Sequence, residues 1–179
     1  MIYVKKIFFV LTLMVSLFVW SIFIEPGLLT ETHKAVSNWQ GPDLKVVFFS
    51  DLHAGSPHIN EKYITNLVER INFQQADLIL IGGDLVINGV IGGKIIPFSK
   101  VTAILKNLKA KLGIYFVLGN HDWWNDHQDI IHRLEEAGFH FLDNKAQLIS
   151  MDSNYKFWLV GLGDDFTKHV DIAKAFSEH

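Results

Sequence analysis

The sequence predicts an α/β domain built on a parallel sheet, carried behind an N-terminal transmembrane helix. Three observations lead there. Apolar runs of strand length alternate with segments whose apolar residues recur at helical spacing. Residues 7–24 carry no charge at all. Each of three successive strands also runs directly into a short cluster of acidic, amide and imidazole side chains.

The chain has 179 residues, enough for one domain with a sizeable core and an appendage. A formal net charge of −3 lacks the basic balance of a nucleic-acid binder, and no nucleic-acid partner is expected. Cysteine is absent, which excludes disulfides, thiolate metal sites and cysteine nucleophiles together. Nothing in the pattern specifies an oligomeric state.

Residues 1–27 form the anchor. The uncharged stretch 7–24, with only Thr12, Ser16 and Ser21 polar, spans about 27 Å as a helix, enough for a hydrocarbon core. Lys5 and Lys6 precede it and Glu25-Pro26-Gly27 ends it. Its exit, Trp20-Ser21-Ile22-Phe23-Ile24, has no A-x-A-like cleavage site, so an uncleaved single-pass anchor in the cell membrane is favoured over a signal peptide. The lysine pair argues for a cytoplasmic N-terminus and an extracytoplasmic domain. Residues 28–43 are expected to be a linker with an edge strand at 31–37, closed by the turn Gln40-Gly41-Pro42-Asp43.

The domain occupies 44–179. Residues 44–49 read as a central strand, being nearly all apolar. Asn60 caps a helix whose Ile64, Leu67, Val68 and Ile71 share one face. A strand at 78–81 stops at Gly82-Gly83. Pro97 suits the first turn of a helix that carries Val101, Leu105, Leu108 and Leu112. A strand at 114–118 follows, then a helix with Ile130, Ile131, Leu134 and Ala137, ended by Gly138. Three strands at 139–142, 146–151 and 156–160 then continue the sheet with mixed or antiparallel pairing. Thr167 is expected to cap a last helix.

The strand ends carry the chemistry. The first gives Ser50-Asp51-Leu52-His53, the second Gly82-Gly83-Asp84, the third Gly119-Asn120-His121-Asp122. Taken alone, each is also what a polar turn looks like. Together they lie about one strand–helix repeat apart, and parallel repeats bring such ends to one rim, where α/β proteins place their sites. Asp51 and His53, two apart in extended chain, would face the same way, whereas Asn120 and His121, being adjacent, would diverge. Carboxylates, an amide and imidazoles without thiolate suit Mn, Fe or Zn.

These residues resemble the calcineurin-like metallophosphoesterases: Asp51-Leu52-His53, Gly83-Asp84 and Gly119-Asn120-His121-Asp122 match that family's D-x-H, G-D and G-N-H-[DE] blocks. With its anchor and the segment Gly161-Leu162-Gly163-Asp164-Asp165, the chain resembles membrane-anchored bacterial phosphodiesterases. The resemblance implies an αββα sandwich and two divalent metal ions. Asp51 and His53 would bind one metal, Asp84 would bridge both and Asn120 would bind the second. His121 would touch the phosphate or protonate the leaving oxygen, with Asp122 orienting it. A metal-bridging hydroxide would attack phosphorus in line, on a phosphoester substrate of lipid-linked or envelope type. Two carboxylates and one hydroxide against two divalent cations leave roughly one positive charge for the phosphate. The family completes its site with an isolated His and a G-H-x-H block, and this sequence contains no G-H-x-H. The alternative expectation is therefore an incomplete domain, the N-terminal part of a phosphoesterase, with at most weak metal binding.

Other residues keep two readings. Trp123-Trp124 would line the substrate pocket, touch lipid or pack as a hydrophobic staple. Lys94, Lys100, Lys106, Lys109 and Lys111, with no acid among them, would face anionic lipid or simply solvent. Asp164-Asp165 would be a turn or cap, His58 a loop residue, and His169 or His179 a substitute ligand or a bystander.

Overall fold

The computed structural model describes residues 2–177, in two compact units, one ending at Ala35 and one beginning at Val36. In the first, α1 (Ile2–Val19) continues through a π turn (Trp20–Ile24) and a 3-10 turn (Glu25–Gly27). Pro26 lies at the start of that last turn, where no N–H is needed. The 25-residue span Tyr3–Gly27 is long and apolar enough to cross a membrane, and its large apolar side chains are exposed along its length. A helix apolar on every face is suited to lipid or to a protein core. The Thr12 hydroxyl donates to the Phe8 carbonyl at 2.9 Å, so even this polar group is satisfied within the helix. Residues 31–37 do not form the expected edge strand. They are exposed and pair with no strand among the described residues, and an alternating run alone does not hold strand geometry.

In the second unit, β1 (Val46–Phe49), β2 (Leu78–Ile81), β3 (Ile114–Phe116) and β4 (His140–Phe141) form a parallel sheet in that order. The register Phe49–Ile81–Phe116–Phe141 brings the strand ends level. Helices α2 (Glu61–Phe73), α3 (Phe98–Leu105) and α5 (His127–Glu136) supply the core on one side: Ile64, Val68, Ile71, Val101, Leu105, Ile130 and Leu134 cluster with Ile79, Ile81 and Phe116. A four-residue helix, α4 (Asn120–Trp123), leaves the end of the third strand. On the other side Leu78, Leu80, Tyr115 and Val117 meet Ile149, Phe157 and Leu159 of an antiparallel pair, β5 (Lys145–Ser150) and β6 (Lys156–Gly161). The last helix, α6 (Ile172–Ala175), buries Ala175. Helix, sheet and second sheet are thus layered as a sandwich requires, and β2 is buried on both faces, which is why it reads as an unbroken apolar run.

Four expectations need correction. β1 is the sheet's edge, not its centre: its burial alternates, and Phe48 is 64% exposed. α3 stops at Leu105 because the Asn107 side chain donates to the carbonyls of Ala103 (3.2 Å) and Ile104 (3.0 Å), closing the helix before Leu108 and Leu112. β5 and β6 form a separate sheet instead of extending the first. Asp171, not Thr167, caps the last helix, accepting from the Lys174 amide at 2.9 Å.

Candidate metal centre

The three predicted strand ends converge, and the backbone explains how. Past β1 and β2 the chains stay zipped: the amides of Asp51, His53 and Ala54 donate to the carbonyls of Gly83 (3.0 Å), Asp84 (2.9 Å) and Leu85 (2.9 Å). The ladder survives although Asp51, His53 and Asp84 have φ of 55°, 45° and 54°. Left-handed geometry is uncommon outside glycine, and such residues cluster at sites the surrounding fold over-determines. Asp51 and His53 therefore do not meet by strand alternation, as expected, but through a left-handed turn that sets Asp51 Oδ1 3.7 Å from His53 Nε2. Asn120 and His121 likewise open a helix instead of lying in extended chain.

Two glycines admit the close approach. Gly83 has φ +90°, and a Cβ there would lie 2.7 Å from the carbonyl carbon of Leu118. A Cβ on Gly119 would lie 2.6 Å from Asp84 Cγ. Without side chains on either, the second and third strand ends pack backbone to backbone, and Asp84 Oδ1 accepts the His121 amide at 2.9 Å.

Ligand atoms of His53, Asp84 and His121 all lie within 4.8 Å of one another, each residue partly buried. The two imidazoles meet edge-on, with centroids 4.8 Å apart at 87°. His53 Nδ1 is buried without a hydrogen-bond partner, an orphan that a cation would satisfy. The donor set of imidazole and carboxylate fits a divalent cation. Asp51 stands beside His53, more exposed, accepting from the Ser50 hydroxyl at 2.5 Å. Asn120 is the first residue of α4 and partly buried.

Asp122, expected to orient the His121 imidazole, uses its carboxylate otherwise. Oδ1 accepts the amides of Leu85 (2.9 Å) and Val86 (3.3 Å), and Oδ2 that of Gly119 (3.1 Å). It is fully buried and clamps the second loop to the third. Burial pushes its pKa up to about 6, against the pull of those three N–H groups and with a further push from the Asp84 charge.

Asp143 is not among the site residues predicted from the sequence. It follows β4 as Asp84 follows β2, so the signal already used for the other strands would have found it. Its Oδ1 accepts the Leu118 amide at 3.1 Å, steadying the turn into α4, while Oδ2 is buried without a partner. Burial raises its pKa to about 6. Next to it, Asn144 accepts the amides of Gly163 (3.0 Å) and Asp171 (2.8 Å) and donates to the His169 carbonyl (2.6 Å), holding the segment after β6.

His169 is not in the metal-type group: it stacks on Trp123, centroids 3.6 Å apart and 2° from parallel. His179 lies outside the described residues. Asp164 is a turn residue, taking the Thr167 amide and hydroxyl at 2.6 and 2.7 Å. Of the five lysines, Lys100 pairs with Glu61 (3.0 Å) and Lys111 with Asp77 (2.8 Å), as on a solvated face.

The profile of the calcineurin-like phosphoesterase family matches residues 44–176, and the chain belongs to that family. It is 30% identical over 107 residues to an uncharacterized metallophosphoesterase of Helicobacter pylori, covering 58% of this chain and 26% of the relative. A second such protein, from Campylobacter jejuni, is 26% identical over 123 residues, 68% of this chain and 30% of that one. A zebrafish (Danio rerio) transmembrane protein with metallophosphoesterase domain is 26% identical over 123 residues, 68% of this chain and 27% of the relative. The chain spans about a quarter to a third of the length of these relatives. No solved structure gives a significant match. That family is one of phosphoesterases, and the relatives named here are metallophosphoesterases.

Proposed function

We propose that this chain is a membrane-anchored, metal-dependent phosphodiesterase whose centre is formed by the ends of β1, β2 and β3. The observation that carries the reading is the convergence of His53, Asp84 and His121 within 4.8 Å on a rim built by three separate strand–loop junctions. His53, Asp51, Asp84 and Asn120 would hold two divalent metals, of Mn, Fe or Zn type. A divalent cation there supplies positive charge for the phosphate and lowers the pKa of water. His121 contacts the phosphate or gives a proton to the leaving oxygen. Asp122 serves it through the backbone, by fixing Gly119 against the Asp84 loop. The anchor favours a lipid-linked or envelope phosphodiester.

Turnover of a bis-aryl phosphate by the full chain in detergent, with and without Mn²⁺, tests the proposal. Activity should require the metal and vanish in Asp84→Asn. Metal-independent turnover, or an active variant, would refute it. Lys5 and Lys6 orient the domain outward. Because the chain has no cysteine, a single one introduced on the exposed surface of the second unit should react with an impermeant maleimide in intact cells; protection would reverse the orientation.

One observation favours a second reading, weak binding with little turnover. Among the described residues only three carboxylate or imidazole groups form the cluster, fewer than two metals need. Metal analysis decides between them: two equivalents bound tightly support the enzyme, less than one the weaker reading.

A further inference from the structure

Beside the candidate metal centre two large aromatic side chains stand bare. Trp124 is 59% exposed and Phe166 is 71% exposed. They are arranged in series from the imidazole outward. The His121 and Trp124 rings are 5.2 Å apart at 72°, and the Trp124 and Phe166 rings 5.7 Å apart at 77°. We propose that Trp124 and Phe166 form a stacking corner for a planar organic group of the phosphoester, an aryl or heteroaromatic ring carried next to the phosphorus. The inference rests on the metal-centre reading above and adds to it the class of substrate.

The corner is built to hold its shape. Trp124 closes α4, its amide bound to the Asn120 carbonyl at 3.0 Å, so its position follows that of His121. Phe166 sits in the turn that Asp164 ties to Thr167 and that the His169 amide closes onto the Asp164 carbonyl at 2.9 Å. The two elements are locked to each other by the parallel stack of Trp123 on His169, and Asn144 holds the His169 carbonyl at 2.6 Å. The neighbouring tryptophan is thus consumed in packing, and that packing sets how Trp124 and Phe166 stand to each other.

The geometry selects the ligand. Two nearly perpendicular rings let a third ring lie flat on one and edge-on to the other, the two arrangements aromatic pairs prefer. An acyl chain would gain contact area there but no directional preference. A protein partner would need a far larger patch than two side chains. The place also fits, because the imidazole at the inner end of the series is the group assigned to the phosphate.

Binding to the Mn²⁺-loaded full chain in dodecyl maltoside tests the proposal, with phenylphosphonate and methylphosphonate as probes. Phenylphosphonate should bind about tenfold tighter, in keeping with ring stacking on an exposed aromatic. Trp124→Leu and Phe166→Leu should each erode that preference, and Trp124→Phe should keep most of it. Equal affinity of the two probes, or a preference that survives both leucine variants, overturns the stacking corner. Methylphosphonate reports on the metal centre alone. If neither probe is held with Mn²⁺ present, the metal-centre reading fails and this inference fails with it.

Discussion

The close approach of Gly119 to Asp84 can be tested by adding one carbon. Gly119 has φ −94° and ψ 178°, extended backbone open to any residue, so Gly119→Ala carries no conformational strain. Its effect would be steric. The new Cβ would lie 2.6 Å from Asp84 Cγ and 2.7 Å from Asp84 N, where ordinary contact is 3.4–4 Å. One loop must therefore move by about 1 Å, and overpacking of that kind costs about 1–3 kcal/mol. The group displaced is the carboxylate that also holds the His121 amide at 2.9 Å. A misplacement of about 1 Å at reacting groups costs roughly a hundredfold in rate. Calorimetric Mn²⁺ titration, thermal unfolding and turnover of a bis-aryl phosphate should all respond, with Mn²⁺ affinity falling at least tenfold. Gly138→Ala is the control. It forces φ +86° on a residue with nothing within 4 Å, and should lower stability by about 1 kcal/mol without touching metal affinity. Unchanged metal affinity in Gly119→Ala would refute the argument that the glycine exists to admit Asp84.

Two further outcomes follow from the carboxylates. Burial raises the Asp143 pKa from 3.8 to about 6, so the folded chain keeps that proton where the unfolded chain has lost it. The stability it contributes is complete below pH 3.8 and is lost as the pH rises to about 6, a difference of about 3 kcal/mol. Urea unfolding of wild type and Asp143→Asn should diverge over that window, and parallel pH profiles would refute the assignment. Asp77, at the opposite ends of the strands, has its pKa lowered by the Lys111 hydrogen bond and then by the Lys45 amide, so its contribution is present above pH 3.8 and fades as the pH falls. Asp77→Ala should destabilise by about 1–3 kcal/mol at pH 7 and leave Mn²⁺ affinity unchanged. A fall in affinity would mean that the two ends of the sheet are coupled.

The strands and helices with a strong period were readable because burial imposes that period. Ile64, Val68 and Ile71 point from α2 into the domain core, and β2 is apolar throughout because helices cover one face and the second sheet meets the other. Local polar chemistry and strand pairing leave no such period. No periodicity announces that Asn107 will cap α3 from beyond its end. An apolar run such as 44–49 does not reveal whether it has one neighbouring strand or two, and β1 has one.

The candidate site shows the same division more sharply. Four strands end in an aspartate or a motif that contains one, and from sequence the carboxylates look alike. Their surroundings separate them. Asp122 and Asp143 are buried and accept backbone amides, three at the first and one at the second, so they act as braces. Asp51 and Asp84 sit at left-handed φ beside His53, less buried, with carboxylates turned toward the imidazoles. Asp84 also accepts one amide, that of His121, so the distinction lies in how deeply each carboxylate is buried when the loops meet, a property of the assembled rim that no single motif contains. It also gives the braces a use: the strain of holding Asp51, His53 and Asp84 at φ near 50° needs a rigid surround, and the buried aspartates supply it.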